Sequence, residues 1–471
     1  MENHFTRREF LKTATVLGTG LCLGCHKVDA QPGRGRIRDV LPILPDNPAI
    51  RYHHNRCRTR NCSRCIKGCR DEMTVFGQIV PQSEDTCIHC GQCTLFCPRE
   101  AITEQYHYRD VARAIADSNK IVVASIAPAV RVSLGEMYGF AYGTNVEGKI
   151  VGALKKLGVD NVLDVTFSAD LTVMEEASEL LVRLEQNGRL PMFTSCCPAW
   201  VRFVKLFYPK FLPNLSTAKS PIMMQGALVK TYFAQQTGIN PAKIVNVALT
   251  PCTAKKAEIL LPKMNAAGTL RDIDFALTCR ELACLINDNK VNFLQMQNTP
   301  YNSLMGAGSG AGVIFGGTGG VTEAALRTAY RLLNGKNPTA DFFNLQSVRG
   351  FSNIRQASVN LGRRTLNIAV VHGIANVRPL LASMQNGTQK YDFVEVMACS
   401  GGCVGGGGQP IIRDMDAARL KQLRQNALYQ RDANNEIRLS YDNPQVRAIY
   451  KDFLGEPLGK KSKELLHITY Q

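Results

Sequence analysis

The residues best suited to chemistry in this chain are cysteines. Ala398-Cys399-Ser400-Gly401-Gly402-Cys403-Val404 runs on through four glycines to Gln409-Pro410. Two thiols four residues apart can bind a soft metal such as the iron of an iron–sulfur cluster. The glycines let the backbone adopt positive φ and approach something bulky. On its own the stretch fits equally well a tight turn with two buried free thiols. Two further motifs shift that balance. Thr194-Ser195-Cys196-Cys197-Pro198-Ala199-Trp200 carries adjacent cysteines and the only tryptophan, and Thr250-Pro251-Cys252-Thr253-Ala254-Lys255-Lys256 directly follows an apolar run. The three motifs supply Cys196, Cys197, Cys252, Cys399 and Cys403. A [4Fe–4S] cube takes four thiolates, so one thiol is surplus and can handle protons beside a metal.

A second set lies in residues 53–105. Cys87, Cys90, Cys93 and Cys97-Pro98 follow the C-x2-C-x2-C-x3-C-P spacing of bacterial ferredoxins. Cys57, Cys62, Cys65 and Cys69 form a looser first run with a four-residue opening gap. In two-cluster ferredoxins the last cysteine of each run serves the other cluster. That rule assigns Cys57, Cys62, Cys65 and Cys97 to one cube, and Cys87, Cys90, Cys93 and Cys69 to the other. A zinc ribbon also pairs cysteines, but eight of them with the proline-terminated run fit two cubes better.

These residues need a scaffold. The chain has 471 residues, 45% of them hydrophobic and 20% charged, which describes a globular protein with a large core. Apolar runs at Ile121–Ile126, Val162–Thr166, Ile244–Leu249, Leu366–Val371 and Phe393–Met397 alternate with helical patterns at Val173–Glu185, after Pro221 and at Thr322–Leu333. Such alternation predicts an α/β domain of two lobes with parallel sheets over residues 106–410. In parallel sheets, sites form at the carboxyl ends of strands, and two of the three cysteine motifs directly follow predicted strands. The expected fold is this domain, an N-terminal α+β ferredoxin-like domain and a C-terminal helical segment, 411–471, wrapped around it. Cys279 and Cys284 match no ligand position and are expected in the core.

The N-terminus resembles a twin-arginine export signal: Arg7-Arg8 precede Phe10-Leu11-Lys12, a short apolar run and small residues near Ala30. Residues 1–30 are expected to direct the folded protein to the periplasm through the twin-arginine translocase. The apolar run is too short to span a bilayer, so stable membrane insertion is not expected. Residues 31–52, rich in Pro and Arg, follow as a linker. The net charge of +17 points to anionic partners or a solvated basic face. No nucleic-acid motif accompanies it.

Ser195-Cys196-Cys197-Pro198, Pro251-Cys252-Thr253-Ala254-Lys255-Lys256 and Met397 through Pro410 resemble the three signatures of [FeFe]-hydrogenases. Phe315 through Val321 and Asp170-Leu171-Thr172 extend the likeness. The resemblance implies an H-cluster: a cube held by Cys197, Cys252, Cys399 and Cys403, with Cys403 bridging to a two-iron subsite carrying CO, cyanide and an azadithiolate. It makes Cys196 the proton donor and acceptor. It assigns Lys255 to a cyanide ligand and Met397 to the subsite wall. It implies a proton path through Glu176, Ser216 and Glu179. Glu176 and Glu179 share a helix face, and a raised Glu176 pKa is expected. Thr250 and Thr322 stand where the family often has Met, and are expected to alter packing around the cluster. Ala129 and Ile222 suit the periplasmic type. Tyr441-Asp442-Asn443-Pro444 through Leu466-His467 resemble the small subunit of periplasmic members, here fused to the large one.

The resemblance implies a ferredoxin- or cytochrome-linked hydrogenase acting on H2 and protons. Two [4Fe–4S] clusters would pass electrons to an external carrier, either a c-type cytochrome or a ferredoxin, and dedicated machinery would mature the H-cluster. Location favours H2 uptake. Rival readings are an H2-evolving or sensory hydrogenase and a non-catalytic iron–sulfur assembly relative.

Overall fold

The computed structural model describes residues 41, 43–57, 62–78, 85–268 and 271–470. The export segment, with Cys22 and Cys25, lies outside the described residues, as does most of the expected linker. At the N-terminal end β1 (Ile50–Tyr52) pairs antiparallel with β2 (Ile102–Glu104). The pairing begins at Ile50, so residues 50–52, expected in the linker, belong to the ferredoxin-like fold.

Two four-stranded sheets follow. In the first, β3 (Ile121–Ile126), β4 (Asn161–Asp164), β6 (Ile244–Leu249) and β7 (Phe275–Leu277) are all parallel, in the order β4-β3-β6-β7. β3 shows why: from Val122 onward its residues are buried, as expected for a strand covered on both faces. In the second, β5 (Met192–Phe193), β10 (Phe393–Met397) and β9 (Thr365–His372) are parallel neighbours, with β8 (Ile354–Asn360) at the edge. The expectation of parallel sheets needs one correction here, because β8 runs antiparallel to β9. A tight turn joins them: the Leu361 amide bonds the Arg364 carbonyl at 2.7 Å, with Gly362 at φ +85°.

The helices set the site. α1 (Val165–Glu185) leaves β4 without a loop. The strand expected to reach Thr166 stops at Asp164, whose carboxylate accepts the Thr166 amide at 2.9 Å as an N-cap. α2 (Pro198–Phe207) starts from Cys197, and α3 (Pro221–Leu228) from Ser220; each has Pro in its first turn, where a missing N–H costs nothing. α4 (Gly320–Asn334) packs on α1.

The C-terminal segment carries α5 (Ala417–Ala433) and α6 (Lys460–Leu466). Buried polar contacts anchor it. Arg424 bonds Glu136 in bidentate fashion at 2.8 and 2.5 Å, and both side chains are almost fully buried. Asp432 pairs with Arg327 at 2.8 Å. Ser440 and Asn443 donate to Asp170 at 2.8 and 2.9 Å. Removing one partner of a buried pair leaves an uncompensated charge and costs about 3–5 kcal/mol. Arg424→Ala, which strands Glu136, is therefore expected to lower the unfolding free energy by an amount in that range, read as a lower denaturant midpoint. An unchanged midpoint would mean that this pair does not anchor the segment.

Candidate active site

Loops at the carboxyl ends of parallel strands from both sheets converge on one cavity of about 710 Å³. β5 leads to Cys196 and Cys197, β6 to Thr250-Pro251-Cys252, and β10 to Cys399 and Cys403; β3 delivers Ala127-Pro128-Ala129 and β4 delivers Val165. All five cysteines of the three motifs line the cavity. Most of the remaining wall is apolar, including Ile222, Phe315 and Met397, and Lys255 is the only charged lining residue. Burial alone would lower the Lys255 pKa. Its partner Glu258, 2.7 Å from Nζ, outweighs that and keeps it a cation; Nζ also donates to the Cys196 carbonyl at 3.2 Å. Burial raises the thiols, Cys252 to about 11, so metal ligation is what would make them thiolates. Five convergent thiols and one cation in an apolar cavity fit an anionic iron–sulfur group.

Behind Cys196 runs a line of polar groups. Glu176 is 1% exposed, and neither carboxyl oxygen makes a hydrogen bond of ordinary geometry, although the Ser195 backbone and the Ser216 hydroxyl lie close enough to oppose its pKa shift. Burial first, then the neighbouring Glu179, raises its pKa to about 8. Cys196 is likewise pushed up by burial and by Glu176. Ser216 donates to Glu179 Oε2 at 2.9 Å, and the Thr217 amide to the same oxygen at 3.0 Å. Arg183, one turn on, holds Glu179 Oε1 at 2.5 Å and is itself partly exposed. The expected path residues are thus brought together, with Arg183 at the outer end.

The ferredoxin-like region abuts the cavity. Cys69, Cys87, Cys90 and Cys93 line a second cavity of about 490 Å³, the set expected from the crossed ligand rule. Among the described residues no three Cys, His, Asp or Glu side chains close on a single-ion site. Cys57, Cys65 and Cys97 share a small core with Ile50, Ile66 and Ile102. Cys62 is exposed, and residues 58–61 beside it lie outside the described residues. Gln92 bridges the two cavities, donating to Cys399 Sγ at 3.2 Å and to the Gly405 carbonyl at 2.8 Å.

The glycine run lines the cavity at Gly402 and Gly406, and at Gly407 it also meets the ferredoxin-like loop, where a Cβ would lie 2.1 Å from the Cys90 carbonyl oxygen. One expectation is corrected. Thr322 was expected to alter packing around the cluster. It does not line the cavity; its hydroxyl and amide bond the buried Glu395 at 3.0 and 2.8 Å. Thr250 does line it. Cys279 and Cys284 are buried in the core of the first sheet, as expected.

Some functional residues were missed. Arg183, four residues after Glu179, was legible as a helical ion pair. Gln92 and Thr217 carry no sequence signal, because their partners are hundreds of residues away or masked by ordinary polarity.

Glu176 also sets a pH dependence. Its folded pKa, about 8, lies above its ordinary 4.5. Between those values the unfolded chain ionises first, so stability is full below 4.5 and is lost as pH rises toward 8. Glu176→Gln is expected to flatten that slope, read as denaturant midpoints at pH 5 and 8; an unchanged slope would contradict the raised pKa.

Comparison with known proteins agrees with this geometry. Residues 120–407 match the family described as iron only hydrogenase large subunit, C-terminal domain. Residues 418–471 match iron hydrogenase small subunit, and 80–103 a 4Fe-4S binding domain. The chain is 44% identical to the NADP-reducing hydrogenase subunit HndD of Solidesulfovibrio fructosivorans over 82% of its length, spanning 66% of that protein. It is 42% identical to the periplasmic [Fe] hydrogenase large subunit of Nitratidesulfovibrio vulgaris, covering 70% of this chain and 86% of that one. A cytosolic Fe-S cluster assembly factor of Danio rerio is more distant, at 30% identity over 78% of this chain and 92% of that one. A solved structure of the [FeFe]-hydrogenase HydA1 from Chlamydomonas reinhardtii superposes with a TM-score of 0.69 at 40% identity, covering 78% of this chain and 99% of that one. With its thiol-lined cavities for [4Fe–4S] clusters and an H-cluster, the chain belongs to the [FeFe]-hydrogenase family.

Proposed function

We propose that the protein catalyses H2 ⇌ 2 H+ + 2 e−, working as an uptake enzyme in the periplasm. The observation that carries this reading is Glu176. A buried carboxyl without a hydrogen bond of ordinary geometry costs stability, and this one stands between the surplus thiol Cys196 and the Ser216–Glu179 pair. A scaffold for cluster assembly has no use for it.

The H-cluster, when bound, supplies the metal chemistry of H2 cleavage and formation. Cys197, Cys252, Cys399 and Cys403 would hold it, and Lys255 would offer an ammonium to an anionic ligand. The chain's own residues move the protons. Cys196 gives its thiol proton to the Glu176 carboxylate and takes a proton from the site in its place, ending as the thiol again. A pKa of about 8 lets Glu176 exchange protons near neutrality. Ser216 relays the proton to Glu179, and Arg183 holds that carboxylate near the surface. In the reverse direction each transfer runs backward.

Electrons would leave through the cavity of Cys69, Cys87, Cys90 and Cys93, then through a cluster held by Cys57, Cys62, Cys65 and Cys97. The surface there exposes Arg51, Arg64, Lys67, Arg70 and Arg99. Such a collar suits an acidic one-electron carrier better than a basic cytochrome. The Arg7-Arg8 segment supports export, and among the described residues no helix is long and apolar enough to cross a membrane.

Infrared spectroscopy of anaerobically matured protein is expected to show CO and cyanide bands, together with H2-dependent dye reduction; absence of both would end this reading. Cys196→Ala should keep the bands and lose at least about 100-fold in turnover, the scale of a lost proton-transfer group. Full turnover in that variant would remove Cys196 from the path. Reduction of an acidic ferredoxin should outpace that of a basic cytochrome, with the advantage shrinking as salt screens the collar.

A further inference from the structure

The proton chain has a side arm that the C-terminal segment completes. Thr217 Oγ1 lies 3.1 Å from Glu179 Oε2 and 2.8 Å from His467 Nδ1. His467 Nε2 lies 2.9 Å from Glu175 Oε2. The imidazole is held in register by backbone bonds on both sides: the Lys219 amide to the Leu466 carbonyl at 2.8 Å, and the Ile468 amide to the Thr217 carbonyl at 2.7 Å. Glu175 is fully buried, yet it accepts from Tyr450 at 2.6 Å, from the Leu458 amide at 2.8 Å and from Ser462. Burial would raise its pKa; these donors and His467 outweigh that and hold it below the ordinary carboxylate range. A buried carboxylate so arranged favours a cation opposite it.

We propose that His467 is a proton-storing positioning residue, exchanging a proton with Glu179 through the Thr217 hydroxyl while Glu175 balances the charge. The inference rests on the hydrogenase reading. The transfer balances without electrons. A protonated Glu179 gives its proton to Thr217 Oγ1, and the Thr217 proton passes to His467 Nδ1. The imidazole then carries two N–H groups, one toward Thr217 and one toward Glu175. Reversal returns the proton to Glu179. The single Thr217 hydroxyl proton couples the two states: it points at Glu179 when His467 is a cation, and at Nδ1 when His467 is neutral.

The groups facing this arm are few. Glu175 and Glu179 come from α1, with Arg183 behind Glu179, and Tyr450 lies beyond Glu175. Lys219, two residues past Thr217, has its ammonium 3.6 Å from Asp272. Lys460, Lys461 and Lys463 on α6 are exposed. The imidazole is 7% exposed and bridges the Thr217 hydroxyl and the Glu175 carboxylate.

The test compares His467→Gln with Thr217→Val in the matured holoenzyme. Thr217→Val removes only the hydroxyl link and leaves the His467–Glu175 contact in place. Both variants are expected to keep the CO and cyanide bands. Both should lose the limb of the pH–turnover profile in the imidazole range, about pH 5 to 8, and alter the carboxyl C=O stretch in redox-triggered infrared difference spectra. Thr217→Ser should restore both readouts. A wild-type profile in Thr217→Val overturns the proposal, even if His467→Gln is impaired, because His467 would then serve only as an anchor. Should His467→Gln fail to fold, the Thr217 pair decides alone. A wild-type protein lacking the bands overturns the hydrogenase reading and this one together; intact bands with unchanged variants overturn this one alone.

Discussion

The structure depends on close approach between three loops that leaves no room for side chains. A Cβ on Gly407 would meet the Cys90 carbonyl oxygen at 2.1 Å, and one on Gly91 would meet Thr253 Oγ1 at 2.3 Å. Gly91 has φ +70°, which L side chains avoid. The loop after β10, the loop after β6 and the ferredoxin-like loop are therefore locked together at contact distance. The Thr253 hydroxyl seals the seam by donating to the His89 carbonyl at 2.7 Å. Any side chain at Gly407 would wedge the two cysteine-lined cavities apart. Cavities held in register at a fixed short separation are what electron transfer between two clusters requires.

This constraint also divides the cavity wall by task. Cys399 faces the seam and accepts from Gln92. Cys196 faces the other way, near Lys255 and Glu176. In the proposed reaction, electrons and protons would thus use separate walls. The separation follows from topology: β10 supplies the seam side, β5 supplies the proton side, and they are adjacent parallel strands of one sheet. Glu176 lies outside the cavity lining, and its own burial together with the neighbouring Glu179 raises its pKa to about 8.

Much of this was legible in the sequence, and the reasons for the rest are physical. Cysteine spacing is local chemistry, so the clustering of the thiols could be read directly, whereas the division of the five between ligands and a surplus thiol came only from the family resemblance. The buried strands were legible because strands covered on both faces are apolar throughout, as β3 is. The end of β4 was not, since one side-chain cap at Asp164 converts an apolar run into a helix. The antiparallel edge strand β8 was missed because its polar alternation makes it look like loop. The second contact of the glycine run, with the ferredoxin-like loop at Gly407, was not legible, because sequence records that a side chain is excluded and not what excludes it. Thr322 failed similarly: Glu395, its partner, lies 73 residues away and announces nothing.

The C-terminal segment carries the deepest lesson. Its attachment is rich in buried polar groups: Arg424, Asp432, Ser440, Asn443 and His467 each meet a buried charged or polar partner on the large domain. Such pairs add little net stability over an apolar interface, because desolvation offsets most of their attraction. What they add is register, since a buried charge tolerates few other positions. A register device is dispensable for a strap that merely covers apolar surface. It is needed where a side chain must stay within hydrogen-bond reach of a proton chain, as His467 does at Thr217. The polar character of the attachment is thus what the proposed role of His467 in the proton path would require and a packing element would not.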